Sequence, residues 1–199
     1  AQAQRVVPGF GHVHADQVVP FSSRGPTTDN RVKPDVVAPG TFILSTRSSK
    51  LAANNFAWAA YPPDKKHYFH MGGTSMATPL TAGAVAVLRE FLRTKQSLAR
   101  PSAALLKALL IAGAQRLPGT APAKTILDNH QGLGRVNLDR STTRPLATID
   151  GPGLKTGGKS TCTVKVPAAN KTLRIALCYS DFPGATLINN LITLAMVFG

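Results

Sequence analysis

The sequence predicts a mixed α/β protein followed by a β-rich region, and three patterns support this prediction. Its 199 residues include 17 glycines and 15 prolines, which indicates many turns and disfavours a helical bundle. Residues 80–88 carry no charge and follow Pro79, which is typical of a buried helix near its start. After residue 145 polar and apolar side chains alternate, as they do in strands.

The N-terminal half contains short strands separated by turns. Residues 1–20 show no periodicity and are predicted to be irregular. Residues 36–38 and 42–45 are predicted to be strands, with a turn at Pro39 and Gly40 between them. The polar stretch 46–66 is predicted to be a surface loop, and residues 68–71 a strand that leads into a tight turn at 72–75.

Two helices are predicted after this turn. The first begins at Met76, has Pro79 in its first turn, and is expected to be buried on every side over residues 80–88. The second follows Pro101, with Ser102 as its N-cap and Gly113 at its end.

The C-terminal region is predicted to be the start of a β-sandwich. Alternation is clearest over residues 161–166 and 173–178, and the 54 residues of 146–199 are too few for a sandwich of roughly 100 residues. We therefore predict two partial domains, 1–145 and 146–199. Cys162 and Cys178 lie in the second, and the sequence leaves open whether they form a disulfide or are two small buried side chains.

The net charge of +14, from 23 basic and 9 acidic residues, raises the question of an anionic partner. The basic residues are scattered, and the aromatic residues (6%) do not interleave with them, so we expect a solvated basic surface and no nucleic-acid partner. The apolar stretch 71–88 is interrupted by glycines and Pro79, so no membrane partner is expected either. Since the sequence begins without Met or an apolar leader, we expect it to be part of a longer protein.

The turn Gly-Gly-Thr-Ser at 72–75 is the strongest candidate for chemistry. A serine hydroxyl becomes a nucleophile when it is exposed, oriented and deprotonated by a neighbouring base. The glycines permit a sharp turn, and Ser75 then lies at a helix N-terminus, where free N–H groups and the helix dipole favour a developing oxyanion. The alternative is that Ser75 is an ordinary helix cap.

Four segments of the sequence resemble, in order, the signature blocks of the subtilase family of serine peptidases. They are Phe-Ser-Ser-Arg-Gly-Pro at 21–26, Lys-Pro-Asp-Val-Val-Ala-Pro-Gly at 33–40, Gly-Gly-Thr-Ser-Met-Ala-Thr-Pro at 72–79 and Gln-Gly-Leu-Gly-Arg-Val-Asn at 131–137. The resemblance implies the C-terminal part of a subtilisin-like, parallel-sheet catalytic domain. The region after it resembles the jelly-roll domain of the alkaline, oxidation-tolerant subtilases.

This resemblance implies a role for each residue around the turn. Ser75 would form an acyl-enzyme in serine endopeptidase chemistry, with its own N–H as an oxyanion donor and the Thr74 hydroxyl as weaker support. Met76 and Met71 would line the leaving-group side of the cleft, and Met76 would be a site of damaging oxidation. A core role for Met76 is equally compatible.

The other triad members are not expected in this chain, because the family order is Asp, His, Ser and both precede the first block. The oxyanion Asn also lies upstream in that order, so the chain alone is expected to be inactive or nearly so. We interpret the five histidines (His12, His14, His67, His70 and His130) as surface or structural residues, and Asp35 as structural. The pair His12 and His14 lacks a third ligand, so no metal site is expected there.

The resemblance further implies polypeptide substrates, no organic cofactor, an extracellular location and a monomer. Calcium is left open for the longer protein, because Asp181 has only the amides of Asn189 and Asn190 near it in sequence. Two rivals remain. An esterase would carry Gly-x-Ser-x-Gly, but position 77 is Ala. A non-catalytic domain, either a degenerate subtilase or an interaction module, would use Ser75 only as a cap.

Overall fold

The structure is a computed structural model. It describes residues 5–7, 11–52, 54, 58–118, 128–143, 146–151, 153–164, 173–181, 184 and 188, with backbone only for 5–7 and 11–13. The chain divides into two compact units. The first comprises Ala1–Ala84 and Ala114–Val136, and the second comprises Val85–Gly113 and Asn137–Gly199.

The first unit begins with an antiparallel hairpin. Strand β1 (Arg5–Val7) pairs with β2 (Gly11–Val13), and Val6 lies opposite His12. The prediction that residues 1–20 are irregular is therefore wrong for these six residues. Strands of three residues are too short to show periodicity, so only the pairing itself reveals them.

A three-stranded antiparallel sheet leads to the serine turn. It contains β3 (Ile43–Thr46), β4 (Ala59–Ala60) and β5 (Tyr68–Met71), in the order β3-β5-β4. The strand predicted at 68–71 is confirmed, and the one predicted at 42–45 is shifted by one residue. β4 lies within the predicted surface loop, which corrects that prediction.

The strand predicted at 36–38 is reduced to one bridge. Val37 pairs in parallel with Arg135, and the strands of the described residues are otherwise antiparallel. Val36 and Val37 have strand propensity, but a β-ladder requires several consecutive paired residues, and only the pair Val37 and Arg135 forms here.

Helix α1 (Thr74–Lys95) begins two residues before the predicted start. Pro79 is therefore its sixth residue rather than part of its first turn. Only one stripe of the helix is buried, at Ala84, Leu88 and Leu92, whereas Leu80 is 43% and Val87 is 49% exposed. The prediction that residues 80–88 are buried on every side is wrong for the described structure. A run without charged residues can be buried at little cost, but it does not show which parts of the protein cover it.

Two further helices lie in the second unit. In α2 (Ala103–Gly113) the Ser102 hydroxyl accepts a hydrogen bond from the Leu105 N–H at 3.1 Å, which confirms the predicted N-cap and the end at Gly113. Its buried face consists of leucines (Leu105, Leu106, Leu109 and Leu110). Helix α3 (Leu138–Thr142), capped by Asn137, packs against α2 so closely that a Cβ on Gly113 would lie 2.0 Å from the Ser141 hydroxyl oxygen.

The predicted β-sandwich is not visible in the part of 146–199 that the structure describes. Residues 161–164 and 173–180 have no strand assignment, whereas 165–172 and 189–199 lie outside the described residues. The sandwich and the boundary at residue 145 stay predictions. None of the helices within the described ranges has the length and apolar character needed to cross a membrane.

Candidate active site

The serine turn is held by one backbone hydrogen bond and one glycine conformation. The Gly73 N–H donates to the Gly40 carbonyl at 2.7 Å, and Gly73 has φ of +152°, which side-chain-bearing residues rarely adopt. The Met76 N–H then donates to the Gly73 carbonyl at 3.0 Å and closes the first turn of α1. Ser75 is consequently the second residue of α1.

The Ser75 hydroxyl is exposed and weakly engaged. It donates to the Met76 sulfur at 3.7 Å, and no base among the described residues is hydrogen-bonded to it. A cap serine behaves differently, because it precedes the helix and its oxygen accepts from an N–H of the first turn. Ser75 lies inside the helix, so its position is not that of an N-cap.

The N-terminus of α1 leaves donors for an oxyanion. The first N–H groups of a helix lack intrahelical acceptors, and Met76 is the one that bonds to Gly73. Within the described residues, the N–H groups of Thr74 and Ser75 have no hydrogen-bond acceptor. The Thr74 side chain is exposed, while its carbonyl accepts from the Thr78 hydroxyl at 3.0 Å.

Pro79 acts on the carbonyl side of the same turn. A proline has no N–H to donate to the carbonyl four residues earlier, and its ring crowds that carbonyl. In α1 that carbonyl belongs to Ser75. The Ser75 carbonyl therefore receives no N–H from residue 79, and two residues further along the Thr81 hydroxyl donates to the Ala77 carbonyl at 3.0 Å.

The segment 131–137 holds the chain that carries Gly40. The Leu133 N–H donates to the Asp35 carbonyl at 3.0 Å, and the Val37 N–H donates to the Gly134 carbonyl at 2.9 Å. Gly132 has φ of +60°, and a Cβ there would lie 2.0 Å from the Pro34 carbonyl oxygen. Glycine is required at this position for both reasons. Backbone hydrogen bonds therefore link the block at 131–137 to the block at 33–40, and the block at 33–40 to the serine turn.

Asp128 fixes the start of that segment. Its carboxylate accepts from the N–H groups of His130 (2.8 Å) and Gln131 (2.9 Å) and pairs with the Arg116 guanidinium at 2.7 Å. Burial raises the pKa of this carboxyl, but the two N–H groups and Arg116 outweigh burial and hold the pKa below its usual value. The carboxylate therefore stays charged and stabilises the segment at neutral pH.

An aromatic cluster lies beside the turn. Trp58 makes edge-to-face contacts with Phe21 (centroids 6.2 Å apart) and Phe42 (5.5 Å), and its ring lies directly against Gly72. The sequence prediction missed Trp58 because it treated 46–66 as a surface loop. The occurrence of the only tryptophan of the chain within a polar stretch is the signal that could have identified it.

The predicted leaving-group residues lie on either side of the serine. Met71 ends β5 and Met76 is the third residue of α1, and both are half-buried. Asp35 pairs with Lys33, which is consistent with a structural role. The cleft itself depends on walls that the described residues do not supply, so both methionine roles stay predictions.

The histidines are spread over the first unit. His67 pairs with Asp64 at 2.9 Å on the surface, and His130 adjoins Asp128. His70 lies on β5 between Phe42 and Tyr61, with centroid distances of 6.4 and 6.2 Å. The His12 side chain is outside the described residues, and His14 is exposed.

The described side chains include no group of three or more His, Cys, Asp or Glu that could hold a metal ion. Asp181, the carboxylate considered for calcium, accepts the Ile188 N–H at 2.9 Å. Asn189 and Asn190 lie outside the described residues. Cys162 is exposed and Cys178 is half-buried, and the two are not joined by a disulfide in the structure.

Comparison with known proteins identifies the family. The family model for subtilases, peptidase family S8, matches residues 6–134, well over half of the chain. The chain belongs to the subtilase family. The match contains the first three sequence blocks and most of the fourth, so the resemblance read from them is confirmed.

Relatives of known name agree with this assignment. The subtilase chain is 37% identical over 123 residues to the serine protease/ABC transporter B family protein tagD of Dictyostelium discoideum, covering 57% of this chain and 7% of that protein. It is 44% identical over 73 residues to the serine protease AprX of Bacillus subtilis, covering 37% of this chain and 16% of that one. The chain therefore spans less than a fifth of the length of either relative.

Among solved structures, the CspB protease of Clostridium perfringens is similar with a TM-score of 0.45 and 31% identity. The alignment covers 61% of this subtilase chain and 22% of that chain.

Proposed function

We propose that this chain carries the nucleophile of a serine endopeptidase, and that Ser75 attacks the scissile carbonyl to form an acyl-enzyme. Proton removal from the Ser75 hydroxyl requires a base, which the longer protein would supply together with its orienting carboxylate. The Ser75 N–H would donate to the oxyanion, with support from the Thr74 hydroxyl. Met71 and Met76 would line the leaving-group side.

The observation that carries the proposal is the contrast between two serines at helix starts. Ser102 caps α2, because its oxygen accepts the Leu105 N–H at 3.1 Å and its hydroxyl bonds to Asp150 at 2.5 Å. Ser75 makes neither kind of bond and has only the weak thioether contact of 3.7 Å. An exposed hydroxyl without a strong partner, beside free N–H groups, suits a nucleophile better than a cap.

Two rival functions make different predictions. A non-catalytic subtilase would leave Ser75 unreactive in the folded protein. An esterase would process esters and leave peptide bonds intact, although Ala77 stands where its motif requires glycine.

The test is active-site labelling of the full-length protein that contains this chain. A fluorophosphonate probe reacts with activated serines, and mass spectrometry locates the adduct. We expect the adduct on Ser75, loss of labelling in Ser75→Ala, and cleavage of a denatured protein substrate by the wild type. A folded full-length protein that is neither labelled nor proteolytic would refute the proposal.

Ser102→Ala is the matched control for this experiment. It removes a serine hydroxyl from the start of a helix, as Ser75→Ala does, but at a capping position. Labelling of Ser75 should persist in Ser102→Ala at the wild-type rate.

The remaining aspects of function are proposals drawn from the family. We expect polypeptide substrates, an extracellular location, a monomer, and no organic cofactor. We expect no calcium site within this chain and leave calcium binding open for the longer protein. Equilibrium dialysis of the full-length protein against calcium would test the last point.

A further inference from the structure

Trp58 lies at the centre of a small aromatic cluster beside the serine turn. The rings of Phe21 and Phe42 stand nearly perpendicular to it, at 83° and 89°. Edge-to-face pairs of this kind are favourable and fix the orientation of the ring. The half-buried indole is therefore held from two separate segments of the first unit.

The held indole covers Gly72. A Cβ built on Gly72 would lie 2.3 Å from Cη2, 2.4 Å from Cζ2 and 2.6 Å from Cζ3 of Trp58, far inside van der Waals contact. Gly72 is not among the glycines with positive φ. Its backbone would thus accept a side chain, and the requirement for glycine at position 72 comes from Trp58.

The segment that follows Pro39 makes a second contact with the turn. Gly40 accepts the Gly73 N–H at 2.7 Å, and Phe42, two residues later, contacts Trp58. Phe42 has φ of +52°, a conformation that is strained for a bulky residue. Strain of this kind persists where surrounding contacts over-determine the backbone and is enriched at functional sites. One short segment therefore supplies both the acceptor for Gly73 and a support for Trp58.

This contact is close to the nucleophile. Gly72 precedes Ser75 by three residues, and a Cβ on Gly73 would lie 3.2 Å from the Ser75 hydroxyl oxygen. Since consecutive Cα atoms are about 3.8 Å apart, the Trp58 ring is within about 12 Å of that oxygen. Only Gly73 and Thr74 lie between Gly72 and Ser75, so a shift at Gly72 reaches Ser75 through three peptide units.

We propose that Trp58 is a positioning residue for the nucleophile: its ring presses on Gly72, and with the Gly40 carbonyl it clamps the turn that orients the Ser75 hydroxyl. The inference rests on the proposed function, because it concerns the same serine. Trp58 does not touch the reacting atoms in this role and acts through the turn.

The first experiment measures the rate constant of fluorophosphonate labelling, together with kcat and KM for a peptide substrate, in the full-length protein. A misplacement of about 1 Å can reduce catalysis by about a hundredfold, so Trp58→Ala should lower the labelling rate and kcat by roughly tenfold to a hundredfold. KM should change far less, because the turn orients the nucleophile rather than binds substrate. Trp58→Phe keeps an aromatic ring at this position but lacks Cη2, Cζ2 and Cζ3, the indole atoms against Gly72, so it should restore only part of the rate.

A double-mutant cycle tests the contact itself. Gly72→Ala introduces the methyl group that clashes with Trp58 and should lower the labelling rate on its own. In the Trp58→Ala background the clash is gone, so adding Gly72→Ala should cost much less than it does in the wild type. Thermal unfolding of the same four proteins, measured in parallel, separates the effect on labelling from an effect on stability.

Tyr61→Ala is the matched control. Tyr61 is another aromatic residue of the same sheet region, in contact with Tyr68 and His70, and a Cβ on Gly72 has Trp58 rather than Tyr61 as its neighbour. It should lower the thermal stability without slowing the labelling of Ser75.

The outcomes separate the inference from the proposed function. Wild-type labelling rates in both Trp58→Ala and Gly72→Ala would overturn the inference and leave the protease proposal intact. An unlabelled wild type would overturn both. If Trp58→Ala does not fold, Gly72→Ala decides alone, since it removes no packing and must still slow labelling.

Discussion

Replacing Gly73 with alanine tests whether the conformation of the serine turn controls the nucleophile. Gly73 has φ of +152°, and a Cβ there would lie 3.2 Å from the Ser75 hydroxyl oxygen and 3.8 Å from the Met76 sulfur. The alanine would therefore be strained by its backbone and would crowd the hydroxyl at the same time.

The expected size of the effect follows from this geometry. A non-glycine residue in a sparsely populated backbone region costs of order 1–3 kcal/mol. If the turn relieves that strain by moving, Ser75 loses its orientation, and the activation free energy of acylation rises by a similar amount. At about 1.36 kcal/mol per factor of ten, Gly73→Ala should slow acylation about fivefold to 150-fold.

The assay is the rate constant of fluorophosphonate labelling of Ser75 in the full-length protein, with thermal unfolding measured in parallel. Gly153→Ala is the control, because among the described residues a Cβ at Gly153 meets no atom within 4 Å and Gly153 does not have a positive φ. It should be labelled at the wild-type rate. A Gly73→Ala variant that is folded and labelled as fast as Gly153→Ala would refute the reasoning.

Three further predictions concern oxidation, pH and stability. Met76→Leu should keep its activity after peroxide treatment that inactivates the wild type, because the Ser75 hydroxyl contacts the Met76 sulfur at 3.7 Å and a sulfoxide would alter that contact; equal inactivation of both would contradict this. Asp128→Asn should lower the free energy of unfolding at pH 7 by about 1–3 kcal/mol, since the carboxylate accepts two N–H groups and pairs with Arg116. Because the pKa of Asp128 is depressed in the folded state, its stabilisation is complete above the unfolded pKa of about 3.9 and is lost as the pH falls through the folded pKa. Urea titrations between pH 2 and pH 7 should therefore show a weaker acid dependence in Asp128→Asn, and an unchanged dependence would argue against the role of Asp128. Ser102→Ala should cost about 0.5–2 kcal/mol in urea denaturation, since the hydroxyl caps α2, and no measurable loss would contradict the cap.

Elements whose signals lie within a few residues were largely predictable from sequence. The strand at β5 and the Ser102 cap depend on alternation and on turn residues within a few positions, and both are confirmed. The start of α1 was misplaced by two residues because Gly73, rather than Ser75, takes the non-helical conformation. The family follows from ordered motifs, and the family model confirms it.

Long-range packing was not predictable in the same way. Burial of Leu80 and Val87 depends on neighbours far away in sequence, so a run without charge could not determine it. The position of Trp58 depends on contacts with Phe21, Phe42 and Gly72, which lie in other segments of the chain, and the polar stretch around Trp58 does not predict these contacts. The predicted roles of Met71 and Met76 depend in the same way on cleft walls that the described residues do not include.

The central claim is that Ser75 forms an acyl-enzyme, and trapping that intermediate tests it most directly. The full-length protein would be mixed with an activated peptide ester at acidic pH, where the deprotonation needed for deacylation is slow, quenched, digested and analysed by mass spectrometry. The account predicts an acyl adduct on the peptide that contains Ser75, and its absence in Ser75→Ala. Turnover of the ester with the acyl group on another residue, or with no adduct at Ser75, would contradict it.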